Sequence, residues 1–256
     1  MLQAHSILWH YLWLAPHALQ LALAVFMISR GLHKLFPVFL TYLLFEALEE
    51  FTLYTMDILP SVPWQTFWRT FCIGMVIEGL LKFAIVGELF SQLVRSWPVV
   101  AMLGNRLVSI IGAVLVLLAT AAAAYAPIDN PQYAIISRAH ILEQTLYIIQ
   151  CGLILFLFLF GAYFHLSWNR QAFGILLGFG ILASEHMGSW ALTANGFLFE
   201  RRHLLDFLNM ATYHACVVIW SYYLLSPGKP PVRPAIVLPD HNLDVWNREL
   251  ERLLQQ

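Results

Sequence analysis

Residues 107–125 read LVSIIGAVLVLLATAAAAY and contain no Asp, Glu, Lys or Arg. They end a longer apolar stretch from Val99 to Tyr125, whose one charged residue is Arg106. An α-helix rises 1.5 Å per residue, so about 20 apolar residues cross the ~30 Å hydrocarbon core of a bilayer. The stretch therefore predicts a transmembrane helix.

The composition of the whole chain points the same way. Of its 256 residues, 60% are hydrophobic and 11% are charged, whereas a soluble domain is roughly 45–50% apolar and about 25% charged. The net charge is -1 and the basic residues are scattered, which argues against a nucleic-acid partner. The three cysteines lie in apolar stretches and form neither a zinc-binding nor a disulfide pattern.

Apolar stretches of similar length recur along the chain. Those long enough to span a bilayer are Ile7 to Ser29, Phe36 to Ile58, Phe67 to Leu93, Val99 to Tyr125, Ile136 to Phe164, Ala172 to Ala194, and Leu204 to Leu225. We predict an all-α membrane protein, with a bundle of about seven transmembrane helices in residues 1–227. In the sixth stretch, Gly174 and Gly178 form a small-xxx-small pattern that favours close helix packing.

Basic residues between the stretches indicate the orientation. Arg30, Lys34, Arg95 and Arg170 fall in alternate loops and so share one side, whereas the basic pair at 201–202 opposes the bias. Lys and Arg concentrate in cytoplasmic loops. We therefore expect a multi-pass protein of the cell membrane with its N-terminus outside and its C-terminus in the cytoplasm.

Ionisable residues within the apolar stretches are the strongest indication of function, because a charge at a helix centre costs at least ~2.5–3.5 kcal/mol. Counting along each stretch places most acids and histidines in the half that contains the N-terminus. We predict a polar cavity there, open to the outside above a drier floor. The expected ligand-binding residues are Glu46, Glu49, Glu50, Glu78, Lys82, Glu143 and His214.

Glu78 and Lys82 are one helical turn apart, a spacing that favours an ion pair. We predict that this pair is structural or part of a switch. Glu78→Ala alone should then destabilise the protein more than Glu78→Ala combined with Lys82→Ala, because the single change leaves a buried charge unpaired.

Two kinds of cofactor site are alternatives. His140, Glu143, Glu185 and His186 could bind a divalent metal such as zinc or iron, which would suit a membrane-embedded enzyme. His17 and His214 lie at similar depths in the first and last stretches and could be axial ligands of a haem. That arrangement would suit an electron-transfer subunit that binds haem or quinone.

The C-terminal residues form a separate segment. Residues 228–256 are predicted to be a cytoplasmic Pro-rich linker and a short amphipathic helix. The apolar side chains of that helix, Leu243, Trp246, Leu250 and Leu253, are spaced by three or four residues. Such a face could lie on the bilayer, or could mediate self-association or docking to a protein partner.

The favoured hypothesis is a sensor-like or accessory membrane protein that binds a small polar or cationic ligand and signals or docks through this helix. In architecture it resembles the seven-helix sensory membrane regions of bacterial receptors. No catalytic residue is predicted. In the competing interpretation, the buried polar groups only hold the bundle together, since interhelical polar contacts average about 0.6 kcal/mol in membranes.

Overall fold

The computed structural model describes residues 6–127, 134–194, 202–226, 246, 248 and 250–253. Its described residues contain no strand and form long α-helices, which confirms the predicted all-α class. The helices are α1 Ile7–Ser29, α2 Pro37–Ile58, α3 Trp64–Leu93, α4 Pro98–Tyr125, α5 Ala134–Tyr163, α6 Arg170–Ala194 and α7 Arg202–Leu225. Each predicted apolar stretch therefore coincides with one helix, to within a few residues at its ends.

Five of these helices, α1, α3, α4, α5 and α6, are long and apolar enough to cross a membrane. Helix α2 is long enough but too polar to be one of them, because it carries the acids Glu46, Glu49, Glu50 and Asp57. Exposed aliphatic side chains on α4, such as Leu117 and Leu118, are compatible with contact to a lipid bilayer.

Local sequence accounts for several helix ends. The side chain of Ser6 accepts a hydrogen bond from the backbone N–H of Trp9, which caps α1. Helices α2 and α4 begin with proline, whose fixed φ suits the first turn. The carboxylate of Glu88 on α3 accepts hydrogen bonds from the backbone N–H groups of Val38 (2.9 Å) and Phe39 (3.1 Å). Glu88 therefore stabilises the N-terminus of α2.

The helices form a closed ring with one helix outside it. Around the ring α1 packs on α2, α2 on α3, α3 on α5, α5 on α6, α6 on α7, and α7 back on α1. Helix α4 packs on the outside, against α3 and α5. This arrangement leaves an interior that six helices can line.

Glycines allow α6 and α7 to approach closely, as the small-xxx-small pattern predicts. A Cβ at Gly174 would overlap Tyr223, and a Cβ at Gly178 would overlap the indole of Trp220. That indole N–H donates to the backbone carbonyl of Ile175 at 3.2 Å. The two glycines therefore make the groove that holds α7.

An aromatic cluster fills the centre of the ring on the side away from the N-terminus. It consists of Phe39, Tyr42, Phe179 and Trp220, with ring centroids 5.0–6.3 Å apart. Burial of these rings is nearly complete, at 3% exposure or less. We call this cluster the aromatic floor.

The C-terminal segment is described only in part. Residues 246, 248 and 250–253 are helical, with Trp246 and Leu253 exposed and Leu250 half-buried. Leu243 and the linker lie outside the described residues, so the predicted apolar face remains a prediction.

Candidate functional site

A cavity of about 260 Å³ lies inside the ring above the aromatic floor. It is bordered mainly by the N-terminal halves of α1, α3, α5 and α7 and the C-terminal halves of α2 and α6, and it reaches just past the midpoints of α3 and α5 at Lys82 and Gln150. Most of it therefore lies in the half of the bundle that holds the start of α1. Its polar and aromatic lining is Trp13, His17, Glu46, Glu49, Glu50, Phe71, Glu78, Lys82, Phe83, Glu143, Tyr147, Gln150, His186, Asn209 and Tyr213.

Three of the carboxyl groups come from α2. Glu46 is 7% exposed, and its Oε2 has no hydrogen-bond partner in the part of the chain that the structure describes. Glu50 accepts a 2.7 Å hydrogen bond from the indole N–H of Trp13 on α1. Glu49 occupies the space beside Gly74 on α3, where a Cβ would overlap its carboxylate. The absence of a side chain at Gly74 therefore makes room for an acid between α2 and α3.

The ion pair predicted between Glu78 and Lys82 is present. The side chain of Lys82 is 8% exposed and that of Glu78 is 19% exposed. The Lys82 ammonium also lies 4.6 Å from the ring centroid of Tyr147 and 3.5 Å from its hydroxyl. Among the described residues of the cavity wall, Lys82 is therefore the one ammonium beside five glutamates.

A second polar cluster joins α5 to α6. His186 stacks on Tyr147 with centroids 4.0 Å apart. Its Nε2 lies 3.9 Å from the Glu143 carboxylate, and its Nδ1 lies 3.1 Å from the carbonyl oxygen of Leu182 and 3.2 Å from the Glu185 carboxylate. The cluster holds the imidazole at the cavity wall between two acids.

The residues of the metal hypothesis are neighbours, but they do not converge on one point. Glu143 and His186 line the cavity, whereas the side chain of His140 is 58% exposed and pairs with Glu143 at 3.6 Å. Glu185 accepts a hydrogen bond from Ser189. Among the residues that the structure describes, no three His, Cys, Asp or Glu side chains could hold a metal ion together. This arrangement gives the metal hypothesis no support.

The two histidines of the haem hypothesis have different surroundings. His17 lines the cavity, its Nδ1 is 2.8 Å from the Gln20 amide oxygen, and its ring contacts that of Tyr213. His214 lies against Tyr11, with ring centroids 5.9 Å apart, and it is not part of the cavity wall. The haem hypothesis stays a prediction without support from this cavity.

Six of the seven predicted ligand-binding residues share this cavity; His214 does not. The sequence reasoning missed Trp13, Tyr147, Gln150 and Tyr213, which also line it. A signal for two of them was present, because Tyr147 and Gln150 follow Glu143 by four and seven residues and so share its helix face.

No protein-family model, curated protein or solved structure matches this chain.

Proposed function

We propose that this chain is a seven-span protein of the cell membrane that binds a small organic cation in the carboxylate-lined cavity. One observation carries the proposal. Five glutamates and one lysine line the cavity, and the buried carboxyl of Glu46 has an oxygen without a partner among the described residues. An unpaired buried carboxylate is costly, and a cationic ligand offsets that cost.

The other properties of the cavity fit a small organic cation. Its volume of about 260 Å³ is just below the roughly 300–1,000 Å³ of sites for drug-sized ligands. Aromatic rings of Trp13, Phe71, Tyr147 and Tyr213 line the wall beside the acids, and such rings attract a nearby cation. Tyr147 already contacts the Lys82 ammonium in this way.

The number of spans is part of the proposal. The acids that make α2 too polar by composition, Glu46, Glu49 and Glu50, line the cavity and so do not face lipid. Ionisable residues are tolerated in transmembrane helices in that position. Helices α2 and α7 also close the ring. We therefore propose that both span the membrane, with the N-terminus and the cavity on the outside, as the loop charges predict.

Calorimetric titration of the full-length protein in nanodiscs tests cation binding. The probes are butane-1,4-diamine and the uncharged butane-1,4-diol, which has the same number of heavy atoms. We expect the diamine to bind at least tenfold more tightly than the diol. Equal binding of the two compounds would overturn the proposal.

A matched pair of variants locates the binding. Glu46→Gln removes the unpartnered carboxyl and should weaken diamine binding about tenfold or more. Glu88→Gln removes a carboxyl that is similarly buried (8% exposed, against 7% for Glu46) but lies outside the cavity and bonds to backbone, so it should change the affinity less than twofold. If both variants bind the diamine alike, the cavity is not the site.

We further propose that the cation acts as a signal, transmitted to residues 246–253. Hydrogen exchange of these residues, with and without saturating diamine, is the readout. We expect diamine binding to change the exchange rates of these residues in the native protein but not in Glu46→Gln. If exchange is unchanged at saturating diamine, the sensor role is refuted, whereas the proposed binding site still stands.

A further inference from the structure

Gln150 on α5 is the second residue of the cavity wall with an unpartnered polar atom. The side chain is 3% exposed, and its amide nitrogen Nε2 has no hydrogen-bond acceptor within the described residues. Buried polar groups nearly always have a partner, and each exception needs an explanation. On a cavity wall, an occupant of the cavity can supply such a partner.

The two unpartnered groups of the cavity are of opposite kinds. Glu46 Oε2 is an acceptor when the carboxyl is ionised, as it is beside a cation, and Gln150 Nε2 is a donor. They come from different parts of the ring, because α2 packs on α1 and α3, whereas α5 packs on α3, α4 and α6. An occupant that satisfies both must donate to one part of the wall and accept from another.

Several other polar groups of the wall have partners. Glu50 accepts from Trp13, and Lys82 is paired with Glu78. Tyr213 accepts a hydrogen bond from the Gln20 amide. Among the described residues of the wall, the fully buried polar atoms without a partner belong to Glu46 and Gln150.

We infer that the ligand is an ammonium cation that also carries an oxygen acceptor, as in an amino alcohol. This inference rests on the proposed function and names its ligand class. The ammonium group donates to the Glu46 carboxyl, and the ligand oxygen accepts from the Gln150 amide. A simple alkylammonium ion satisfies the first group and leaves the amide N–H buried without an acceptor, which is unfavourable.

Three probes with six heavy atoms each test the inference on the full-length protein in nanodiscs. They are 4-aminobutan-1-ol, pentylamine, and butane-1,4-diamine, which differ only in a terminal hydroxyl, methyl or ammonium group. We expect 4-aminobutan-1-ol to bind about tenfold more tightly than pentylamine. Equal affinities would overturn the inference.

Variants of Gln150 assign this preference to the amide. In Gln150→Leu the preference for 4-aminobutan-1-ol over pentylamine should fall to less than twofold. In Gln150→Glu, which replaces the donor by an acceptor, the diamine should gain affinity relative to the amino alcohol. Gln92→Leu is the matched control, because the Gln92 amide donates to the backbone carbonyl of Leu35 outside the cavity. An unchanged preference in both Gln150 variants would overturn the inference.

The outcomes separate this inference from the proposed function. If the diamine, 4-aminobutan-1-ol and pentylamine all fail to bind, the cation site itself is refuted. If they bind without discrimination, the site stands and the amino-alcohol class is wrong. Magnesium chloride is a further competitor, and tighter binding of Mg²⁺ than of 4-aminobutan-1-ol would also overturn the inference.

Discussion

Replacing Glu78 by glutamine would leave the Lys82 ammonium inside the bundle without its carboxylate partner. In the native protein the two groups form an ion pair one helical turn apart, with side chains only 19% and 8% exposed. We expect Glu78→Gln to be clearly more destabilising than the double variant Glu78→Gln/Lys82→Met, in which no buried ammonium remains. The same order is expected for the alanine single and double variants.

The expected loss of stability depends on the contacts that the Lys82 ammonium keeps in the variant. Breaking a buried ion pair by removing one partner typically costs 3–5 kcal/mol. The ammonium still lies 4.6 Å from the Tyr147 ring centroid, a contact worth about 0.5–2 kcal/mol. We therefore expect Glu78→Gln to lower the free energy of unfolding by about 3 kcal/mol. The double variant should lose about 1 kcal/mol, because replacing both partners by uncharged groups is often nearly neutral.

Unfolding in mixed detergent micelles, followed by tryptophan fluorescence, measures these free energies. Lys34→Met is the matched control, because Lys34 is exposed beyond the end of α1 and should change the stability by less than about 0.5 kcal/mol. A double variant that is as unstable as Glu78→Gln, or less stable, would refute the reasoning. It would mean that Lys82 does not depend on this partner inside the bundle.

Four further substitutions, one of them a control, test the packing of the bundle and of the cavity wall. Glu88→Ala removes the carboxylate that accepts two backbone N–H groups of α2; it should cost about 2 kcal/mol in the same unfolding assay. Gly178→Ala should lower the free energy of unfolding by about 1–3 kcal/mol, because the new Cβ would overlap the indole of Trp220 on α7. Gly152→Ala is the control: there is open space around this glycine, so stability should change by less than about 0.5 kcal/mol. Gly74→Ala should weaken diamine binding severalfold in calorimetric titration by displacing the Glu49 carboxylate, and unchanged affinity would show that Glu49 has room to move without loss.

The class of the protein could be read from the sequence alone, because the bilayer imposes a length and an apolar composition on every spanning helix. The stretch Val99 to Tyr125 predicted α4 almost to the residue, Pro98–Tyr125. The helix ends were predicted less accurately. Helix α3, for example, begins at Trp64, three residues before the predicted start at Phe67. The Gly174 and Gly178 pattern also predicted close packing, because a missing side chain is visible in the sequence itself.

The sequence also predicted that the acids would gather in one half of the bundle. Successive helices run in opposite directions, so counting along each one gives an approximate depth. This reasoning brought Glu46, Glu78 and Glu143 together correctly. It placed His214 at the site as well, but depth does not give the direction in which a side chain points around the helix axis. The structure places that histidine against Tyr11 and outside the cavity wall.

Only the tertiary structure decided which polar groups remain without partners. In the sequence, Glu46, Glu50 and Glu88 are three similar acids in apolar helices. In the fold, Glu88 bonds to the first turn of α2, Glu50 accepts from an indole, and Glu46 keeps an oxygen that has no partner among the described residues. The sequence determined the helices, because hydrophobic length is a local property. The ring order and its packing determined the site, because a hydrogen bond between residues distant in sequence depends on which helices become neighbours.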